Sequence, residues 1–590
     1  MNEILFSFLG KKEICIFDTF AQSTNGSVYY QQGNNVLLAT VVVNANEIVK
    51  EDFLPLTVQY IERSYAAGKF PGGYIKRESK PSDFETLSAR VVDRSLRPLF
   101  PKDYCYPTQI TILVLSADLD ADLQVLALNA ASAVLFISEI PINIPVSAVR
   151  IGKINGEFVI NPEKLTQSTL DLLVSGTNED LLMIEMRSLQ ESKAFNANEV
   201  EEEELLEALS IAQEAIVKRN KLIIENLSFH IKSPILFFDN QEDCSSQILD
   251  TYIKEYHFQP LKDIIYSLSK TERQSELLMF AQQIMQKWKE KNPEDLQFLE
   301  ERVLKSISKL KREIVRDLIL KEGRRVDGRG LKEVRPIDIK TNILPKAHAS
   351  VLFTRGQTQA LVVATIGCEA DAQSYELLTD KASSKERFMV HYNFPPFCVG
   401  EANSVSAPTR RELGHGNLAK RALEPTLIEN KHRTIRLVSE ILESNGSSSM
   451  ATVCGGSLAL TAADIECTDL VAGVAMGLVY EGEKYAILTD IVGLEDHDGD
   501  MDFKIAGSKK GITAIQMDIK LMGLKLDVLR DILYQAKEAR IHILEIMEKA
   551  KESIIINKEV LPSFQTFLIH PSRIVDIIGP SGKTIKEIIE

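Results

Sequence analysis

The chain repeats itself, and that repetition constrains its fold more than any other feature. Near the start of each half stands a strand pair, SVYYQQGNNVLLATVVV from Ser27 and SVLFTRGQTQALVVATIG from Ser350. Val58-Gln59-Tyr60 is matched by Val390-His391-Tyr392, and residues 82–98 by residues 409–425 at a constant shift of 327. Ser82 with Glu85, and Thr409 with Glu412, have the form of capping boxes, in which N-cap and N3 bond reciprocally to open a helix. Arg94 and Leu96-x-Pro98 match Arg421 and Leu423-x-Pro425, with proline closing each helix. Residues 126–131 match 458–463 as a small-residue buried helix. Asp171-Leu-Leu-x-x-Gly176 with Met186 then matches Asp502-Phe-Lys-x-x-Gly507 with Met517, and LxxAQEA at Leu209 matches LxxAKEA at Leu533. Six blocks in one order, at shifts between 323 and 332, describe a duplicated α/β domain of about 220 residues.

Between and after the copies the pattern changes. Residues 177–322 contain no glycine, and 247–320 carry apolar residues at helical spacing, which reads as a small all-helical unit because linkers are rich in Gly, Ser or Pro. The charge run Glu201 to Glu204 reads as a solvated helix start. Near the end, a short strand is expected over 564–569. Two Ile-rich helical segments follow, joined by Gly579-Pro-Ser-Gly582 with Lys583 behind, the pattern of a KH loop that clamps a nucleic-acid backbone. The chain stops at Glu590 within that unit, so its remaining strands are expected to be missing. The expected boundaries are 1–230 for the first core, 240–322 for the helical unit, 323–550 for the second core and 560–590 for the partial KH unit.

Hydrophobic residues at 44% and charged residues at 26% are those of an ordinary globular protein. Apolar runs such as 470–480 fall short of the ~20 residues of a membrane helix, and the apolar stretch at 4–10 follows Glu3, unlike a secretory signal. Seven scattered cysteines without a CxxC pair indicate neither a zinc site nor a disulfide framework. No membrane partner and a cytoplasmic, reducing setting are expected. The net charge of −15 argues mildly against nucleic acid, yet binding depends on local patches. Residues 63–97 carry eight Lys/Arg against four acids, and residues 410–421 carry Arg410, Arg411, His415, Lys420 and Arg421 against one.

What the second copy alone carries points to chemistry. EDHDGDMDFK, residues 495–504, places Asp496, Asp498, Asp500 and Asp502 beside Lys504. Alternation from Met501 predicts a strand with Met501, Phe503 and Ile505 on one face and Asp500, Asp502 and Lys504 on the other. Such carboxylates suit Mg²⁺, which takes one or two of them and leaves other positions to water and phosphate. The first copy has Leu173 opposite Lys504, no acid over 165–169, and Asp83, Phe84 and Ser88 opposite Arg410, Arg411 and His415. Ser447, Ser448 and Ser449 follow Gly446 and lead into a helix, offering hydroxyls and N–H groups to an anion. The first copy has Asp118, Asp120 and Asp122 in that region, which would repel phosphate. Metal, anion and polyanion sites in one domain point to phosphoryl-group chemistry.

RRVDGRGLKEVRPI from Arg324, FTRGQTQALV, APTRRELGHG, NGSSSMA and GDMDFKIAGS together resemble the polynucleotide phosphorylase family across the whole chain. The resemblance implies an α/β (α+β) fold with two RNase PH-like cores (ribosomal protein S5 domain 2-like sandwiches), an all-α insert and the start of a KH domain. It implies a homotrimer that degrades single-stranded RNA from the 3′ end, consuming inorganic phosphate and releasing nucleoside diphosphates, with an RNA-degradation complex as a candidate partner. On matching positions, Asp496 and Asp502 would hold Mg²⁺, with Mn²⁺ an alternative, and Lys504 would neutralise charge at the scissile phosphate. Ser448 and Ser449, with Ser447, would seat the attacking phosphate; Arg410, Arg411 and His415 would meet the RNA near its end. Gly579, Gly582 and Lys583 are the KH contacts. Tyr74, Lys76 and Arg77 fall on a channel loop where the family has two phenylalanines; Ile75 cannot stack on a base. Arg90, Arg94 and Arg97 share one helical face. Arg94 has a counterpart and reads as structural, whereas Arg90 and Arg97 are expected to touch RNA. Asp498 has no assigned role. A hydrolytic nuclease of similar fold and an inactive RNA-binding scaffold are the alternatives.

Overall fold

The computed structural model describes residues 3–49, 53–72, 74–101, 104–189, 199–235, 244–267, 270–295, 299–380, 383–428, 433–563 and 568–589. The first copy runs β1 (Glu3–Phe8), β2 (Lys11–Phe17), β3 (Gly26–Gln32), β4 (Asn35–Val43), β5 (Leu56–Ile61), α1 (Asp83–Leu96), β6 (Thr108–Ser116), α2 (Leu123–Ile137), β7 (Ser147–Ile154), β8 (Glu157–Ile160), β9 (Leu170–Gly176), β10 (Leu181–Ser188) and α3 (Glu202–Leu227). Helices α4 (Cys244–Ser267), α5 (Lys270–Lys291) and α6 (Leu299–Asp317) follow. The second copy begins with β11 (Ile337–Thr341), β12 (Ala349–Arg355), β13 (Thr358–Gly367), the hairpin β14 (Gln373–Tyr375) and β15 (Ser384–Glu386), and β16 (Phe388–Asn393). It continues through α7 (Arg410–Leu423), β17 (Thr434–Glu443), α8 (Ser448–Ala462), β18 (Ala472–Glu481), β19 (Lys484–Thr489), α9 (Gly493–Asp498), β20 (Met501–Gly507), β21 (Ile512–Ile519) and α10 (Leu526–Glu552). Near the end lie α11 (Ile574–Ile578) and α12 (Lys583–Ile589), joined by the Gly579–Gly582 turn. Of the strand expected over 564–569, residues 564–567 lie outside the described residues.

The two copies share one topology. Their first sheets have the orders β2-β3-β4-β6-β5 and β11-β12-β13-β17-β16, with β1 added at the edge of the first. In each, the last pair is parallel, which requires a crossover; α1 and α7 provide it. Both helices open with the expected capping boxes.

The second sheets merge into one, β19-β18-β20-β21-β10-β9-β7-β8. At its centre β10 and β21 run antiparallel, with Glu185 opposite Gln516 and Met186 opposite Ile515. Because Met186 is the equivalent of Met517, Glu185 and Gln516 are equivalent too, and the internal two-fold passes between them. Glu185 accepts from Arg94 and from Arg421, the same residue of each copy. That shared seam explains why both copies keep this arginine.

Helices α2 and α8 lie between the sheets of their copies. Every residue of α2 is buried, and all of α8 except Thr461. A helix apolar all round belongs in a core, and small residues let it approach closely: a Cβ on Gly455 would come within 2.8 Å of Val362. Helices α3 and α10 cover the outer face of the shared sheet and touch each other. There Glu202 is buried between Lys537 and Arg540, which corrects the reading of Glu201–Glu204 as a merely solvated helix start. The core of α4–α6 continues into the second copy through Ala475, Val479, Leu488 and Ile491. Helix α6 consequently sits against α9.

Candidate active site in the second copy

The acidic stretch divides into two sets of carboxylates. Glu495, Asp498 and Asp500 are buried, and each meets a cation from the helical unit or the segment after it. Arg325 pairs with Glu495, Lys311 with Asp498 at 3.3 Å and Arg316 with Asp500 at 2.8 Å. Asp500 also accepts the Tyr480 N–H at 2.9 Å. It precedes β20 and is bound by α6, so it does not share the Asp502–Lys504 face as strand alternation suggested; the chain turns at Gly499–Asp500 before the strand begins.

Asp496 and Asp502 remain. Among the described residues Asp502 bonds to Lys504, and its Oδ1 is buried without a partner. Asp518, opposite Asp502 in the β20–β21 ladder, adds a third carboxylate, 3.8 Å from Lys504 and held by Arg94 of the first copy. Burial raises the Asp502 carboxyl to about 6; Lys504 opposes this while Asp496 and Asp518 add to it. Burial also works against the Lys504 ammonium, but Asp502, Asp518 and Asp496 outweigh it and raise its pKa, so it stays charged. A buried carboxylate oxygen without a donor, beside further carboxylates, fits a hard divalent cation.

The start of α8 is where the copies differ most. In the first copy the N-cap of α2 is Asp122, whose carboxylate accepts the Val125 N–H at 3.3 Å. The N-cap of α8 is Ser447, in the left-handed region (φ 56°) and without a side-chain cap bond. Among the described residues the Oγ atoms of Ser447 and Ser449 are buried without partners, while Ser448 Oγ lies 2.6 Å from the Tyr392 hydroxyl. First-turn N–H groups have no partner within a helix and carry its positive end, so this open end of a 15-residue helix has the donor set and polarity that suit an anion. Arginines hold it from beneath. Arg335 donates to the Asn445 and Gly446 carbonyls at 2.9 and 3.2 Å, and Arg355 to the Ser447 carbonyl at 3.1 Å. Because the trans peptide opposes its C=O and N–H, drawing three successive carbonyls down turns the following N–H groups up. Asp490 lies between these arginines; burial would raise its carboxyl, but Arg355 and Arg335 hold it well below the usual carboxylate range.

The first copy fills both places with its own side chains. Arg150 bonds to Asp122 and Asp171, and Arg187 also pairs with Asp171. Burial would raise Asp171, yet Arg150, Arg187 and Arg421 together lower it. The cation has changed strands between copies: Arg150 stands opposite Leu173 in the first, and Ala475 opposite Lys504 in the second. One network is closed on itself, the other open.

The residues expected to meet RNA separate. Arg410 and Arg411 open α7 and are exposed; Arg410 donates to the Val58 carbonyl at 2.9 Å across the copies, and Arg411 lies 5.6 Å over the Phe394 ring. His415 is buried, edge-on to Tyr392 at 5.1 Å. Burial, with Lys504, Arg411 and Arg90 nearby, holds its imidazole neutral, and its Nδ1 is buried without a partner among the described residues. Arg90 crosses from α1 to Gly414 of α7, where a Cβ would come within 2.8 Å of its Nε. Arg97 bonds to Asp93 and to the Leu54 and Leu56 carbonyls, fastening α1 to the approach of β5. Tyr74, Ile75, Lys76 and Arg77 sit on an exposed loop, Tyr74 at 101% and Ile75 at 75% exposure. A cleft of about 260 Å³ lined by Arg63, Lys80 and Arg410 joins the base of that loop to α7. At the other end of the chain Gly579 and Gly582 have φ of 69° and 77° in the turn before Lys583.

Sequence reasoning missed Asp518, Tyr392, Arg335, Arg355 and Asp490. Counting register back from the turn after Gly507 would have found Asp518, and comparing Arg355 with Gln32 of the first strand pair would have found Arg355.

Family models match residues 11–141 and 333–466 ("3' exoribonuclease family, domain 1"), 145–215 ("3' exoribonuclease family, domain 2") and 249–330 ("Polyribonucleotide nucleotidyltransferase, RNA binding domain"). The polyribonucleotide nucleotidyltransferase of Wolinella succinogenes is 62% identical, covering 98% of this chain and 82% of the relative. That of Campylobacter jejuni subsp. jejuni is 57% identical with the same coverage, and that of Nitratiruptor sp. is 56% identical over 99% and 82%. Among solved structures, rice (Oryza sativa) Rrp46 matches 38% of this chain and 100% of its own at 18% identity and a TM-score of 0.32.

Proposed function

This chain belongs to the polyribonucleotide nucleotidyltransferase family, and we propose that its second core holds the phosphorolytic centre while the first guides RNA. The enzyme degrades RNA from the 3′ end, consuming phosphate and releasing nucleoside diphosphates in a reversible reaction. The observation that carries the assignment is the open start of α8 against the Asp122-capped start of α2. Phosphate as the attacking group needs an anion seat, and the α8 N–H groups with Ser447, Ser448 and Ser449 supply one. An oxygen of the seated phosphate forms a bond to the phosphorus of the last linkage as the bond to the preceding 3′ oxygen breaks. Lys504 neutralises charge on that phosphorus centre, and Arg410 and Arg411 hold the backbone of the departing strand. His415, neutral and buried, positions rather than neutralises. Asp496 and Asp502 fit Mg²⁺, or Mn²⁺ in its place, and the ion when bound would supply further charge neutralisation.

Tyr74, Lys76 and Arg77 form the RNA-guiding loop, where stacking on Tyr74 is worth about 1–3 kcal/mol. The turn of Gly579, Gly582 and Lys583 adds a KH-type backbone contact. We assign a homotrimer, open to membership of an RNA-degradation complex, in a reducing cytoplasm. No described helix is long and apolar enough to cross a membrane. Incubation with oligoadenylate, Mg²⁺ and phosphate should release ADP in proportion to phosphate; AMP without phosphate would mark a hydrolase instead.

A further inference from the structure

We propose that α6, the last helix of the helical unit, is a positioning element of the metal site, its Lys311, Arg312 and Arg316 occupying Asp498 and Asp500 so that Asp496 alone is presented beside Asp502. The inference rests on the reading of Asp496 and Asp502 as ion ligands.

Three observations carry it. Helix α9 has six residues, too few to be stable by itself, so its position depends on what holds it. Its two buried acids and Asp500 just after it each meet a cation from the helical side: Glu495 meets Arg325, Asp498 meets Lys311 at 3.3 Å besides its neighbour His497 at 2.7 Å, and Asp500 meets Arg316 at 2.8 Å and Arg312 at 3.5 Å. Residues 312 and 316 are four apart and share one face of α6, and the face is fixed because its core is continuous with β18 and β19. Four aspartates lie within residues 496–502. Without the α6 cations Asp498 and Asp500 would compete for the ion and repel Asp496. With them, the alternation resolves into two neutralised aspartates and two available ones. Any ligand that shifts α6 would then change metal affinity, and metal would change that ligand's affinity by the same factor.

The test is Mn²⁺ binding to the full chain, followed by the electron paramagnetic resonance signal of free Mn²⁺ without RNA or phosphate. Replacing groups that orient metal ligands typically costs about 10–100-fold in affinity. The double variant Arg312→Ala/Arg316→Ala should weaken Mn²⁺ binding by about tenfold or more, and Arg316→Lys, which keeps a cation at Asp500, should stay close to the parent. At saturating Mn²⁺ the double variant should keep its KM for phosphate. Lys311→Met, nearly isosteric, should also weaken Mn²⁺ binding and decides the matter if the double variant does not fold. Unchanged Mn²⁺ affinity in the folded variants, or equal loss in Arg316→Lys, would overturn the proposal. Asp502→Asn separates the two readings: if it abolishes Mn²⁺ binding while the α6 variants do not, only the role of α6 fails; if it changes nothing, the metal assignment itself fails.

Discussion

Tyr392 and its counterpart Tyr60 provide a perturbation with an internal control. The Tyr392 hydroxyl lies 2.6 Å from Ser448 Oγ, both buried, and on the proposed reading this bond orients the serine in the phosphate seat. Burial pushes the phenol well above its usual range, so the hydroxyl is protonated at every working pH. Phenylalanine keeps the ring against His415 and removes one neutral hydrogen bond, worth about 0.5–1.5 kcal/mol net. At RT of about 0.59 kcal/mol that corresponds to a roughly 2- to 13-fold weaker hold on phosphate. Initial rates of ADP release from oligoadenylate at varied phosphate should show KM for phosphate raised by that factor in Tyr392→Phe. KM for RNA at saturating phosphate should not move. Tyr60 bonds instead to Glu62 at 2.7 Å, in the copy whose α2 start is closed by Asp122, so Tyr60→Phe should leave KM for phosphate alone. An unchanged phosphate KM in Tyr392→Phe, or an equal rise in Tyr60→Phe, would refute the reasoning.

Asp502→Asn should abolish phosphorolysis while circular dichroism shows the fold retained; surviving activity would remove Asp502 from the metal site. Because the free Asp502 carboxyl titrates at about 6, binding Mn²⁺ below that pH displaces a proton, and affinity should fall about tenfold per unit below pH 6 and level off above it. A flat profile from pH 5 to 7 would contradict this. Burial, with Glu85 adding and Tyr60 opposing, raises Glu62 from 4.5 to about 7, so the fold favours its neutral form. Its stabilisation is full below the unfolded pKa and lost as pH rises through 7, up to about 3 kcal/mol. Glu62→Gln should therefore raise Tm at pH 8 and scarcely at pH 5; an equal shift at both would refute the burial argument.

What was legible in the sequence is what both copies must keep in order to pack. The capping boxes at Ser82 and Thr409, the buried small-residue helices and the paired Arg94 and Arg421 are local or symmetric, and each appears in the structure as read. Comparing the copies also isolated Lys504 and the serine loop, because these residues are present once. The same comparison failed wherever partner rather than identity changes. Tyr392 is shared with Tyr60, so its bond to Ser448 was invisible. Arg97 has no counterpart, so its bonds to backbone carbonyls of its own copy had no signal in the comparison. Asp498 and Asp500 are indistinguishable from Asp496 in the sequence because no one-dimensional pattern reveals that α6 lies beside them.

The first copy is best understood through the two-fold axis rather than as a loss of residues. Arg94 and Arg421 are equivalent, and so are Asp518 and Arg187, each sixteen positions beyond its strand aspartate, Asp502 or Asp171. On one side of the axis Arg94 meets Asp518. The image of that contact would set Arg421 against Arg187, two like charges, and Arg187 is found bonded to Asp171 instead. A single charge reversal thus has opposite effects on the two sides. It closes the first copy's acidic position with its own arginine, and in the second leaves a carboxylate that the first copy must hold. Without Arg94, Asp518 would be free to draw Lys504 away from Asp502, 3.8 Å being already within ion-pair range. The second core therefore depends on the first for the arrangement of its own charges, which accounts for a chain that keeps both.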